Sequence, residues 1–155
     1  MSETAEKIFS IQKIYTKDIS FESPNTPGIF TSEFQPQLAV DLNAESKKLE
    51  NDVYHVVVRV TATTNVEEHT AFLCEVEQAG IFTLAGFNKV EMSYMLGAQC
   101  PNVLFPYARE VISDLVTRGG FPQLLLEPVN FESMYTEHVQ QANADKAAQE
   151  TATEQ

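Results

Sequence analysis

The chain has 155 residues, 43% of them hydrophobic and 21% charged, which suits one domain able to bury its own core. A net charge of -12 argues against direct nucleic-acid binding, because phosphate contacts need clustered Lys and Arg; it favours solubility and basic or zinc-rich partners. The start, MSETAEKIFS, lacks the apolar core of a signal peptide, no stretch approaches the ~20 apolar residues of a membrane helix, and Cys74 and Cys100 have neither CxxC nor metal-ligand spacing.

These features predict a cytoplasmic protein with reduced, buried thiols, no membrane insertion and no cofactor. Residues 1–6 are polar and expected to fray. Ile8 to Phe21 alternates imperfectly: Phe9, Ile11, Tyr15, Ile19 and Phe21 are interrupted by Lys13 and Lys17. That predicts a long strand, partly exposed or bulged. Ser23 to Pro36 holds Pro24, Pro27, Gly28 and Pro36 and predicts a loop. Ile29, Phe30 and Phe34 within it suit either the wall of a groove or a cover for the chain's own core.

Gln37 to Asn43 alternates cleanly, with Leu38, Val40 and Leu42 inward and Ala39 and Asp41 outward. The polar run AESKKLEND reads as a connection. Val53 to Thr64 is a third strand, with Tyr54, Val56, Val58, Val60 and Ala62 on one face. Thr70 to Phe82 is the fourth. Phe72, Cys74, Val76 and Gln78 point one way, and Leu73, Glu75 and Glu77 the other. The prediction is α+β: a four-stranded antiparallel sheet with helices on one face.

Asn88 and Glu91 form a capping-box pair, with Met92, Met95 and Leu96 at helical spacing. Gly97 is expected to end that helix, and Cys100-Pro101-Asn102 to break the chain. Pro106 suits a first helical position, and Ala108, Val111, Ile112, Leu115 and Val116 form a stripe closed by Gly119-Gly120. Residues 88–118 thus read as two helices or one interrupted helix. Phe121 to Pro128 is an apolar connector. Asn130 caps a last helix with Phe131, Met134, Tyr135, His138 and Val139 on one face. The domain is expected at 1–141, followed by an unstructured polar tail at 142–155.

Catalytic signatures are missing: no phosphate loop, no GxGxxG, no GxSxG and no HExxH. His55, His69 and His138 fall on a strand, a turn and a helix. Cys74 paired with a His would make a nucleophile, but a packed thiol on an apolar strand face is the commoner case. Asp18, Glu22, Asp41, Glu75 and Glu77 fall on the polar sides of their strands, with Leu73 as the apolar exception. If the strands are neighbours, these acids gather on one sheet face. That face is either ordinary solvated surface or a docking site, where charge speeds encounter and Leu73 anchors.

Four stretches, IYTKDISFESPNTP (14–27), TAFLCEVEQAGIF (70–82), LGAQCPNVLFPYARE (96–110) and RGGFPQLLLEPVNF (118–131), resemble the SecB family of bacterial export chaperones over essentially the whole length. The resemblance implies a tetramer, as a dimer of dimers. It implies an ATP-independent holdase that keeps unfolded precursor proteins translocation-competent and passes them to the translocase ATPase SecA. By matching positions, Asp18, Glu22, Leu73 and Glu75 would bind the ATPase's zinc-bearing segment. Cys74, Val76 and Gln78 would support the oligomer, directly or through helices packed on them. Phe21, Ile29, Phe30, Phe34, Phe131, Met134 and Tyr135 would bind clients. Phe34 stands where relatives often carry Trp. Two rival readings are a SecB-like chaperone dedicated to one partner such as an antitoxin, and a small-molecule enzyme using Cys74.

Overall fold

The computed structural model describes residues 6–153, so the expected fraying of residues 1–6 lies outside it except at Glu6. The alternating stretches form β1 (Ile8–Glu22), β2 (Pro36–Glu50), β3 (Val53–Val66) and β4 (His69–Ala85). All pairs are antiparallel, in the order β1-β4-β3-β2. Two-residue turns at 51–52 and 67–68 join β2 to β3 and β3 to β4. Asp52 and Glu67 take φ of 59° and 56° there, the left-handed conformation that tight hairpins demand. β1 and β2 occupy opposite edges, so residues 23–35 must cross one end of the sheet. This crossover carries one turn of 3-10 helix, Gly28–Thr31.

The polar run at 44–52 is not a connection: β2 continues through it to Glu50. Its backbone pairs with β3, with Ala44 opposite Val58 and Lys48 opposite Tyr54. An edge strand is a natural place for Lys and Glu, which discourage further strand pairing.

Register also explains the broken alternation of β1. Its pairing with β4 shifts between Ile11 and Lys13, and again between Thr16 and Asp18. Each shift is an extra residue, Gln12 and then Lys17, and each reverses the parity of the residues beyond it. Phe9, Ile11, Ile14, Thr16, Ile19 and Phe21 therefore share one face although their numbers alternate in parity. The other face receives Lys13, Tyr15, Asp18, Ser20 and Glu22.

Helices cover the first of these faces. The capping box forms as predicted: Asn88 Oδ1 accepts from the Glu91 N–H at 2.8 Å, and Glu91 Oε1 accepts from the Asn88 N–H at 3.0 Å. It opens α1 (Lys89–Tyr94), which runs through a π-helical segment, Met95–Gln99, into α2 (Cys100–Arg118) without a break. Gly97 does not end a helix, Pro101 does not break one and Pro106 does not start one. The wider π turn precedes Pro101, whose ring would press on the carbonyl of residue 97 in a regular α turn. Pro106 deprives the Asn102 carbonyl of a donor, but both residues are exposed, where water can satisfy it.

α2 buries Leu104, Ala108, Ile112 and Val116 against Val56, Val58, Val60, Cys74 and Val76, all at most 1% exposed. Each of the Val, Leu and Ile side chains contributes about 1.5–3 kcal/mol relative to exposure, so this layer carries the stability. The last helix, α3 (Phe131–Thr153), buries only Phe131. It begins as predicted, with Asn130 Oδ1 accepting from the Ser133 N–H at 3.0 Å. It also continues to Thr153, within the stretch expected as an unstructured tail. Past Val139 every described residue is exposed, and Ala, Gln, Glu and Lys need no packing to favour helix.

Candidate functional site

The helix-free side of the sheet is open, and register sets its contents. Asp18 pairs with Glu77, Ser20 with Glu75 and Glu22 with Leu73. Across β4, Arg59 pairs with Glu77, Thr61 with Glu75 and Thr63 with Leu73; Asp41 lies opposite Thr61 on β2. The five acids singled out from the sequence thus share one face, with exposed Leu73 among them.

Sequence reasoning missed the cations on that face. Arg59 donates from Nε and Nη2 to Glu77 Oε1, at 3.0 and 2.6 Å, and Lys17 Nζ lies 3.7 Å from Glu77 Oε2. The Arg59 hydrogen bond is the main reason the Glu77 carboxyl is held below the usual carboxylate range. Glu75 accepts from the Thr61 hydroxyl at 3.0 Å, with Arg59 Nε 3.9 Å away. Asp18, Glu22 and Asp41 make no ion pair among the described residues, so the acidic field centres on the Leu73 end. The signal was present: Arg59 is the lone Arg of β3, on its polar side.

On the covered face, Cys74 and Val76 are 1% and 0% exposed. Any support they give an oligomer runs through the helix packed on them. Gln78 is 3% exposed, and its Oε1 accepts from Thr16 Oγ1 at 3.0 Å. Beside it opens a shallow cleft with Pro106, Tyr107 and Val111 of α2. α2 meets β1 only in part, near Phe21 at its C-terminal end, and leaves Phe9, Ile11 and Ile19 of β1 and Tyr107 of α2 exposed.

The candidate client residues fall into two groups. Around the crossover, an aromatic chain runs from Phe21 to Phe72 (5.9 Å between ring centroids) and from Phe72 to Phe121 (5.0 Å). Phe30 and Phe34 lie on Phe121 at 5.1 and 6.2 Å, and Ile29 is buried beneath them. Phe131, Met134 and Tyr135 instead line a groove of about 520 Å³ between α3 and β2. Leu42, Ala44, Leu96 and Gly97 also line it and were not foreseen, beside polar residues that include Glu45, Ser93 and His138. Polar contacts hold α3 over this groove. Tyr135 Oη donates to Ser93 Oγ at 2.9 Å, and Tyr94 Oη donates to Glu132. The crossover residues do not line this groove, although Leu38 and Val40 on β2 are exposed and apolar.

Catalytic geometry does not assemble. Burial pushes the Cys74 thiol up to about 11 and that of Cys100 up to about 12, the opposite of nucleophile activation. His55 lies on the open face beside Tyr15, His69 at the start of β4 and His138 on α3. Among the described residues, no three His, Cys, Asp or Glu side chains are grouped to hold a metal, and no helix is long and apolar enough to cross a membrane.

Comparison with known proteins matches residues 2–142 to the family described as preprotein translocase subunit SecB. A protein-export protein SecB from Hydrogenovibrio crunogenus is 69% identical over 145 residues, covering 93% of this chain and 97% of that one. Among solved structures, the Mycobacterium tuberculosis Rv1957 SecB-like chaperone, in complex with a ChAD peptide from the Rv1956 HigA1 antitoxin, aligns with a TM-score of 0.64 at 16% identity. The alignment covers 78% of this chain and 90% of that one. At that identity the likeness concerns the fold.

Proposed function

The chain belongs to the SecB family of protein-export chaperones, and from that premise we propose how its surfaces divide the work. A member of this family is a chaperone, not an enzyme, and the raised thiols remove the reason to invoke Cys74. We infer a cytoplasmic, ATP-independent holdase that binds unfolded precursors along apolar surfaces and delivers them to SecA. The observation that carries this reading is the separation of two surfaces. Apolar groove and crossover lie on or beside the helix side; the acidic face lies opposite. A bound client then leaves the docking face free.

The client surface comprises the α3 groove and the crossover aromatics. Exposed Leu38, Val40, Phe30 and Met134 offer anchors to side chains of many shapes, and Met repacks readily. Several such weak contacts along one chain give useful affinity together. The docking surface for SecA is Asp18, Glu22, Leu73 and Glu75, with Asp41 adding field.

The uncovered margin of β1 suits a second copy of the chain, since Phe9, Ile11, Ile19 and Tyr107 are apolar and exposed along it, interrupted at Thr16. We propose that it forms one of the two interfaces that a dimer of dimers needs, with Gln78 at its edge and Cys74 and Val76 behind it. The chaperone domain spans 1–141, and the stretch at 142–155, exposed over its described residues, adds a weak contact to SecA.

Refolding of a slow-folding precursor, diluted from denaturant without nucleotide, tests the reading. Stoichiometric arrest that spares a fast-folding protein is expected. Unchanged refolding at excess intact oligomer would favour a chaperone dedicated to one partner.

A further inference from the structure

The open face has a second end. Ten residues of this chain are Lys or Arg, and four of them, Lys13, Lys17, Lys47 and Arg59, stand on this one face. Arg59 and Lys17 are drawn to Glu77. Lys13 and Lys47 are exposed and make no ion pair among the described residues. Lys47 pairs with His55 across β2 and β3, and Lys13 reaches the same row through Ile81. Between them lies a half-buried floor. Tyr15 Oη and His55 Nε2 are 2.6 Å apart, and their rings stack at 5.9 Å. Buried Ala79 separates Tyr15 from Val57 and leaves the floor low.

We propose that this end of the sheet, Lys13, Lys17 and Lys47 around the Tyr15–His55 pair, binds an acidic segment of a polypeptide partner. Three cations with an aromatic, hydrogen-bonding floor match carboxylates carried on an extended chain. A polypeptide fits better than a nucleic acid, because Lys17 adjoins Asp18 and Lys47 stands two residues from Glu45 on the same face, and these carboxylates repel a uniformly anionic backbone. From the row of Ile81 to that of Glu75 is six residues of β4, roughly 20 Å. One extended segment with acidic residues that far from its basic ones would engage both ends, in a single direction. The basic half of that picture rests on the docking reading above; the acidic half stands without it.

Protonation couples to this site. The His55 imidazole is held below its usual range, first by burial and then by Lys17 and Lys47. The titratable groups around it are Tyr15, Lys13 and Lys17 on β1, Lys47 and Glu45 on β2 and Glu77 on β4. A carboxylate seated among the lysines offsets their effect and favours the imidazolium, so acidic segments bind more tightly as pH falls from 7.5 to 6.

The test uses the full chain and three fluorescent peptides at low salt: a Glu/Ser hexapeptide, a Lys/Val/Ser hexapeptide and one joining the two. The joined peptide should bind about tenfold more tightly than the basic one. Lys13→Gln with Lys47→Gln should erase that gain and leave the basic peptide within about threefold, while His55→Gln should abolish the pH dependence. Equal affinity of joined and basic peptides for the unaltered chain would overturn the proposal. So would a single-stranded oligonucleotide that outcompetes the acidic peptide, since it would identify a phosphate site. Binding of the acidic but not the basic peptide would keep this proposal and sink the docking reading instead.

Discussion

Tyr135 lies over Gly97 so closely that a Cβ added at position 97 would sit 2.7 Å from its Cδ2. The π segment presents a bare backbone there, and α3 rests on it through one aromatic ring. Gly97→Ala should push Tyr135 off its seat and stretch the hydrogen bond to Ser93. The expected cost is about 1–3 kcal/mol, the usual range for overpacking. Amides of α3 should exchange faster, and affinity for an unfolded client should fall severalfold. Unchanged α3 exchange would show that the ring does not hold the helix.

A tighter contact ties α2 to β1. A Cβ on Gly119 would meet Phe21 Cζ at 2.3 Å, and the ring also stacks on Phe72. The φ of Gly119 is -72°, so the demand is for space, not for a special backbone. Gly119→Ala should destabilise by about 1–3 kcal/mol in urea unfolding. Phe21→Leu in the same chain should recover part of it.

Both thiols should be silent in the folded protein. With Cys74 near 11 and Cys100 near 12, an aromatic disulfide reagent at pH 8 should label only through unfolding, roughly a thousandfold slower than in urea. The effect on stability has a definite sign. A thiol whose folded pKa is raised stays protonated after the unfolded thiol has ionised. Its stabilising contribution is therefore complete below the unfolded value near 9 and is lost as pH rises toward 11. Cys74→Ala/Cys100→Ala should flatten the alkaline fall in melting temperature between those limits.

On the docking face, Leu73→Ser should weaken capture of SecA's basic segment by about tenfold, and Glu75→Gln by a few-fold with a shallower salt slope. Neither should change precursor arrest. Arg59→Ala should do the opposite. It frees Glu77, raises that carboxyl toward its ordinary range, and steepens the salt dependence of capture. Carboxyl NMR titration would follow the first effect and binding at two ionic strengths the second.

Ile19→Asp places a charge in the uncovered β1 strip without touching the core. Sedimentation should show smaller species than the unaltered chain, with unfolding of the subunit little changed. An unaltered sedimentation coefficient would move the oligomer contact elsewhere.

The sheet was legible because its chemistry is periodic. Tyr54 to Ala62 and Phe72 to Gln78 alternate without interruption, and the structure places both faces as that alternation predicts. The acidic cluster followed from the same parity. The illegible parts depended on context outside the local window. The run at 44–50 is polar because it is an edge, and edges do not advertise themselves by hydrophobicity. Pro101 and Pro106 looked like breaks because the rule against interior proline assumes a regular, fully paired helix. A π segment before one and solvent around the other remove that assumption. The α3 groove takes Leu42 and Ala44 from β2 and Leu96 from the π segment, so only the folded arrangement could join them.

The two extra residues give β1 a slack that a regular strand lacks. Removing Lys17 would make Thr16 and Asp18 ordinary neighbours, still opposite Gln78 and Glu77, so every remaining side chain would keep its partner and its side. Removing a residue from the regular pairing instead sends the residues between it and the nearest extra residue to the opposite side. One-codon deletions in β1 should therefore be tolerated at Gln12 and Lys17 and be far rarer elsewhere in the strand.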